Sequence, residues 1–184
     1  MKCVIVINGS GGCGKDTIVK YVASKMTYRS ILNASSIDSI KKAAKALGWI
    51  GNKTPKSRKF LYDLKQLSIQ YNDNPTYQLI KHIKDNRADI YFFHIRESEE
   101  IDKIKNKLEG VIDVVTWIVR RQEIDIGNPA DDDVYGYWYD YHIDNSGKFS
   151  HTIKQVDEIL REMEMIYEIK CDKTSFIGSR KEYF

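Results

Sequence analysis

The sequence predicts an α/β fold in which the strands of one mostly parallel sheet alternate with helices. Three observations predict it. Short apolar runs alternate with stretches of helical period along the chain, the pattern of repeated strand-helix-strand units. The runs at residues 89–95 and 112–119 are apolar almost throughout, as suits strands covered on both faces. The chain has 184 residues, enough for one domain with a sizeable core, and shows no internal repeat or linker.

Each element follows from its own residues. Residues 2–8 read as the first strand. A helix then starts near Lys15 and carries Ile18, Val22 and Met26 on one face. A short strand is expected at 30–33. Ser35 and Ser36 read as a helix N-cap region with Asp38 in the first turn, and Ile37, Ile40, Ala44 and Leu47 form one stripe up to Gly48. After Pro55 a helix groups Phe60, Leu64, Leu67 and Tyr71, and Asn74-Pro75 opens another that reaches about residue 86. The strand at 89–95 precedes a helix at 97–108 that presents Ile101, Ile104 and Leu108. Another strand spans 112–119. Residues 120–136 are polar and lack a clear period. Residues 137–144 read as the last strand, followed by a helix with Phe149, Ile153, Val156, Leu160 and Met163 on one face.

Composition narrows the class. Hydrophobic residues make up 42% and charged residues 30%, with a net charge of +3. That suits a protein handling phosphorylated ligands but falls far short of a dedicated nucleic-acid binder. Cys3, Cys13 and Cys171 are too widely spaced to suggest a zinc site or a disulfide framework. The first apolar run is too short for a signal peptide or a membrane span, so the expectation is a soluble, cytoplasmic protein.

One motif carries chemistry. Gly9-Ser10-Gly11-Gly12-Cys13-Gly14-Lys15 matches G-x-x-x-x-G-K, and it follows an apolar strand and opens a helix, as a nucleotide phosphate loop requires. Glycines let backbone N–H groups close on phosphate oxygens, and the helix N-terminus adds favourable charge. Lys15 would reach the β- and γ-phosphates as a point charge. The next position normally offers magnesium a hydroxyl. Here it is Asp16, a good hard-cation ligand, followed by Thr17, whose hydroxyl could serve a phosphate oxygen or the metal.

The G-K-D-T ending of the loop, the segment Ser36-Ile37-Asp38-Ser39-Ile40-Lys41, the stretch His94-Ile95-Arg96-Glu97 and the last strand with its turn, Asp140-Tyr141-His142-Ile143-Asp144-Asn145-Ser146-Gly147, resemble the bacteriophage-type deoxynucleoside monophosphate kinases. The chain also looks like the wider nucleoside monophosphate kinase group. The likeness spans most of residues 1–165, although only the loop is a specific motif. It implies a three-layer P-loop kinase fold with a central five-stranded parallel sheet flanked by helices, and a ligand crevice at the carboxyl ends of the strands. It further implies a single domain over residues 1–184, an acceptor-binding helical region at about 36–86 and a lid at about 120–136. ATP and Mg2+ would bind at Gly9 to Thr17. The partner would be a small-molecule nucleotide, with neither nucleic acid nor a membrane involved; oligomeric state is left open.

Other residues take roles within that frame. Arg96 leaves a buried strand at the crevice, where a guanidinium can grip an acceptor phosphate with two bonds. Arg120 and Arg121 open the lid segment and would close on the transferring group. Asp38, Lys41 and Arg58 are candidates on the acceptor side. His94 reads as a core histidine, Asp131 to Asp133 as a solvated loop tip, and the cluster of Tyr135, Tyr137, Trp138, Tyr139 and Tyr141 as packing. A hydroxyl-bearing acceptor would instead need a carboxylate base, for which Asp38 is the placed candidate. A nucleotide-binding switch or regulatory ATPase is a third reading. Against it, Asn106-Lys107-Leu108-Glu109 is off the guanine-binding pattern and no strand ends in an apolar run followed by aspartate.

Overall fold

The computed structural model describes residues 1–122 and 134–178. Among them the chain runs β1 (Cys3–Asn8), α1 (Lys15–Lys25), β2 (Ile31–Ser35), α2 (Asp38–Ala46), α3 (Pro55–Asn72), α4 (Asn74–Asp85), β3 (Ile90–His94), α5 (Ser98–Leu108), β4 (Asp113–Arg120), β5 (Tyr141–Asp144) and α6 (Phe149–Gly178). The five strands form one parallel sheet in the order β2-β3-β1-β4-β5. The chain builds one side of β1 first and then crosses to the other, so the loops leaving β1, β3 and β4 emerge side by side at the carboxyl edge. This is the predicted fold.

Alternation along β1 explains the three layers. Cys3, Ile5 and Ile7 face α1 and α6, packing with Ile18, Val22, Phe92, Trp117, Val156 and Leu160. Val4 and Val6 face the other way, toward Leu79 on α4 and Ile101 and Ile104 on α5. Phe92 and Trp117, both fully buried on the strands flanking β1, meet edge to face at 5.7 Å. A small separate cluster of Ile40, Ala44 and Leu61 joins α2 to α3.

Four local expectations change. Neither Ser35 nor Ser36 caps α2; Ile37 is the cap residue and no side chain bonds there. Instead the Asp38 carboxylate accepts the Ser35 N–H at 2.8 Å. Leu47, expected on the buried stripe, is 66% exposed, because the helix ends before it and Gly48 turns the chain at φ 93°. The buried positions of α3 are Ser57, Leu61 and Lys65, not Phe60, Leu64, Leu67 and Tyr71. Phe60 and Leu64 flank the α2–α3 cluster, while Leu67 and Tyr71 face solvent. A buried lysine occupies the centre of the inner face, so the apolar pattern points to the wrong stripe. Finally, β5 begins at Tyr141, and residues 134–140 are turns that leave Trp138 87% exposed. Most of the proposed lid, residues 123–133, and with it Asp131 to Asp133, lies outside the described residues.

Lys65 explains how α3 is anchored. Its ammonium, 4% exposed, bonds Glu97, Glu100 at 2.8 Å and Ser36 Oγ at 3.2 Å. Burial works against the charge on Glu97, but the adjacent ammonium outweighs it and holds that carboxyl below its usual range. Glu100 is buried more deeply and is pushed up to about 7. The cluster ties α3 to the start of α5, just past the end of β3. No helix among the described residues is long and apolar enough to cross a membrane.

Candidate active site at the carboxyl edge of the sheet

The phosphate loop leaves β1 at Asn8, a buried polar residue closing an apolar strand. Its side chain makes three bonds. Asn8 Oδ1 accepts the Gly9 N–H at 2.7 Å, and Nδ2 donates to the Arg96 carbonyl at 2.9 Å and to the Tyr139 hydroxyl at 2.7 Å. Tyr139 in turn donates to the Val134 carbonyl at 2.8 Å. On the far side, Asn145 Nδ2 donates to the Cys13 carbonyl at 2.8 Å. Its Oδ1 accepts from Thr152 at 2.8 Å, and its backbone N–H donates to the Arg120 carbonyl at 2.7 Å. The loop is thus fixed to β3, β4, β5 and α6 by neutral side chains.

Two glycines are required by space as well as by backbone. Gly9 has φ 142°, and a Cβ there would lie 2.4 Å from the Val119 carbonyl oxygen; Gly14 has φ 105°, and its Cβ would lie 2.3 Å from Asn145 Nδ2. Any larger residue would push the loop off its supports. Gly14 is also the N-cap position of α1, where no side chain caps the helix. No side chain therefore competes with an anion at this helix end.

Lys15 lies back over this cradle. Its Nζ donates to the carbonyl oxygens of Gly9 and Ser10, the latter at 2.9 Å, and sits 3.6 Å from Cys13 Sγ. Cys13 is fully buried, its sulfur packed beneath Gly9 and Lys15, so its side chain supports the loop from inside. Ser10 Oγ is buried and has no hydrogen-bond partner among the described residues. An orphan hydroxyl, an uncapped helix end and a glycine-walled cradle together fit a polyphosphate. The metal donors fit as well. Asp16 and Thr17 are exposed on the first turn of α1, and among the described residues no three His, Cys, Asp or Glu side chains converge to hold an ion. Such a site suits a hard cation that takes its remaining ligands from phosphate and water.

The sheet brings Lys15, Asp16 and Arg96 to the same carboxyl edge, since β1 and β3 are neighbours and Asn8 bonds the Arg96 backbone. His94, read from sequence as a core residue, ends β3 at that edge. Its Nε2 is 2.8 Å from Asn33 Oδ1 and 3.8 Å from Asp16 Oδ1. Burial lowers its pKa, opposed by the Asp16 carboxylate. Asp38 and Lys41 act on the same imidazole, so both lie within electrostatic reach of it. Asp38 already spends one oxygen on the Ser35 N–H, and Lys41 lies 3.9 Å from it. Arg58 is exposed in the first turn of α3, and no described contact joins it to the loop.

Arg120 and Arg121 end β4 on the other flank. The Arg120 guanidinium stacks 5.3 Å over the Tyr135 ring. Both arginines, with Tyr135, His142, Asp144 and Gln155, line an open cleft of about 630 Å3 beside Asn145. Sequence reasoning gave no role to Asn8, His94 or Tyr139 and saw Asn145 only as part of a turn. For Asn8 and His94 the available signal was a polar residue at the end of an apolar strand run.

No protein-family model matches the chain, and no curated protein does. Solved structures do share its fold. A protein from Chloroflexus aurantiacus taken to be a kinase matches with a TM-score of 0.56 at 13% identity, over 89% of this chain and 97% of that one. A gluconokinase from Sinorhizobium meliloti matches with a TM-score of 0.51 at 13% identity, over 90% and 95%. A hexameric APS kinase from Thiobacillus denitrificans matches with a TM-score of 0.51 at 14% identity, over 89% of this chain and 29% of that one. At these identities what is shared is the architecture: a five-stranded parallel sheet between helical layers, the fold of the P-loop kinases.

Proposed function

We propose that the chain is an ATP-dependent phosphotransferase whose acceptor is a nucleoside or deoxynucleoside monophosphate. The observation that supports the reading is that Lys15, with its ammonium over the glycine loop, and Arg96, whose backbone carbonyl Asn8 holds, follow neighbouring strands at the same edge of the sheet. Bound ATP with Mg2+ supplies the phosphoryl group and neutralises part of its charge. The chain's own residues do the rest. Loop N–H groups and Lys15 would hold and neutralise the donor's phosphates, and Asp16 and Thr17 would hold the ion. Arg96 would align the acceptor's phosphate, and Arg120 and Arg121 would close on the transferring group. Tyr135 and Arg120 offer a stacking surface for the donor's base. A phosphate acceptor needs no protein base, because its oxygen is already a nucleophile at neutral pH.

That last point favours a phosphorylated acceptor over a hydroxyl-bearing one. Asp38, the candidate base, is engaged by the Ser35 N–H and flanked by Lys41. The test is ADP release from ATP with each common ribo- and deoxynucleoside monophosphate, with sugars and small hydroxy acids as further acceptors. Acceptor-dependent release with one monophosphate is the expected result. Release with only a hydroxyl acceptor would move the assignment there, and release independent of any acceptor would point to a regulatory ATPase.

A further inference from the structure

We propose that Asp16, His94 and Asn33 form a mixed nitrogen and oxygen donor set that binds a divalent transition-metal ion, for which Mn2+ serves as the spectroscopic probe, in preference to Mg2+. The inference deepens the reading of the loop as a nucleotide site by assigning the ion that site selects. Its three residues come from three elements: Asp16 from the first turn of α1, Asn33 from β2, and His94 from the end of β3. In the β2–β3 register Asn33 lies opposite Phe92, two residues before His94, so Asn33 and His94 emerge on the same face of the sheet, toward α1.

The distances suit one shared ion. Two donors each about 2.1 Å from a common ion stand about 3.0 Å apart at a right angle and about 4.2 Å apart when opposite. The 3.8 Å between His94 Nε2 and Asp16 Oδ1 falls inside that range. The 2.8 Å between His94 Nε2 and Asn33 Oδ1 falls just below it, so a shift of a few tenths of an ångström opens the pair. The side chain of His94 is 14% exposed and that of Asp16 is 85% exposed, giving one fixed donor and one free to swing onto the ion.

The donor chemistry decides the metal. Mg2+ takes oxygen ligands and keeps its waters, whereas imidazole suits Zn2+, Cu2+, Fe2+ and Ni2+, with Mn2+ the weakest binder of the first-row series. In this chain the position after the loop lysine carries a carboxylate in place of a hydroxyl. The strand beside β1 ends in an imidazole, a nitrogen donor. Three protein donors leave the remaining positions to phosphate oxygens and water, which a phosphoryl-transfer ion needs.

The experiment uses the full chain and MnCl2 alone, without nucleotide. Free Mn2+ is followed by its electron paramagnetic resonance signal, and bound Mn2+ is examined for spin-echo modulation from an imidazole nitrogen. The expected result is one bound ion with nitrogen modulation. His94→Gln should remove the modulation and weaken Mn2+ by at least about tenfold, with little change in competition by Mg2+. Asp16→Asn should weaken both ions. Bound Mn2+ without nitrogen modulation in the unmodified chain overturns the proposal and requires no variant to fold. So does His94→Gln with unchanged Mn2+ affinity, which would leave the Asn33–His94 contact as a bond between strand ends. The result is separable from the kinase reading. Acceptor-dependent ADP release with Mg2+ but no nitrogen-coupled Mn2+ would remove this inference alone, and nitrogen-coupled Mn2+ without any ADP release would remove the kinase reading alone.

Discussion

The phosphate loop is tied down by neutral side chains, the buried Asn8 and the half-buried Asn145, each bonded to a backbone carbonyl. The neighbouring helices α2, α3 and α5 are held by a small apolar cluster and by one lysine between two glutamates. Neutral ties of the first kind are worth about 1 kcal/mol each and do not change with pH. An ionic cluster of the second kind costs more to break than it contributes when whole, because any one removal strands a buried charge. The glycine loop should therefore tolerate single losses, while the packing of α3 on α5 should respond sharply to them.

The largest expected effect is on that ionic cluster. Lys65→Ala should lower unfolding stability by about 3–5 kcal/mol in urea denaturation, because Glu97 and Glu100 would face each other unpaired. A loss below 1 kcal/mol would mean that water reaches the cluster and the contrast is false. Next is Lys15→Ala. Turnover should fall by about 10²–10³, equivalent to about 2.7–4 kcal/mol, with an unchanged melting temperature. Near wild-type turnover would end the kinase reading. Arg96→Ala should reduce kcat/KM for the acceptor by about 10² and leave ATP affinity intact, with partial rescue by lysine. Lost ATP binding with normal acceptor kinetics would move Arg96 to the donor side.

Asn145→Ala tests the neutral half. It removes the bonds to the Cys13 carbonyl and from Thr152, so a loss of about 1–2 kcal/mol is expected. A loss as large as that of Lys65→Ala would erase the difference between the two sides. The smallest effect is in pH. Glu100 has its carboxyl raised from 4.5 to about 7 in the fold. Its contribution to stability is full below pH 4.5 and fades as pH rises through 7. Glu100→Gln should therefore flatten the melting temperature between those limits, where the unmodified chain declines.

Much of the donor side was legible because its chemistry is local. The glycine spacing, the lysine and the strand before them lie within thirteen residues of one another, and the apolar strands β3 and β4 announce themselves. What could not be read depends on partners far away in sequence. Lys65 looks like a surface residue until Glu97 and Glu100 are placed against it, and its burial shifts the inner face of α3 by one position. His94 interrupts an apolar run like any core histidine; only the pairing of β2 with β3 and the start of α1 give it Asn33 and Asp16 as neighbours.

The asparagine ties have a consequence for the order in which the chain acquires its site. Asn8 meets Tyr139, and Cys13 meets Asn145, across separations of 131 and 132 residues. During synthesis the motif leaves the ribosome well before the groups that shape it. A nascent chain ending before β5 would carry the whole G-x-x-x-x-G-K signature without the supports that hold its backbone. A ligand that needs the shaped loop would therefore bind only once the last strand has docked, and would act as a proofreader of the finished sheet.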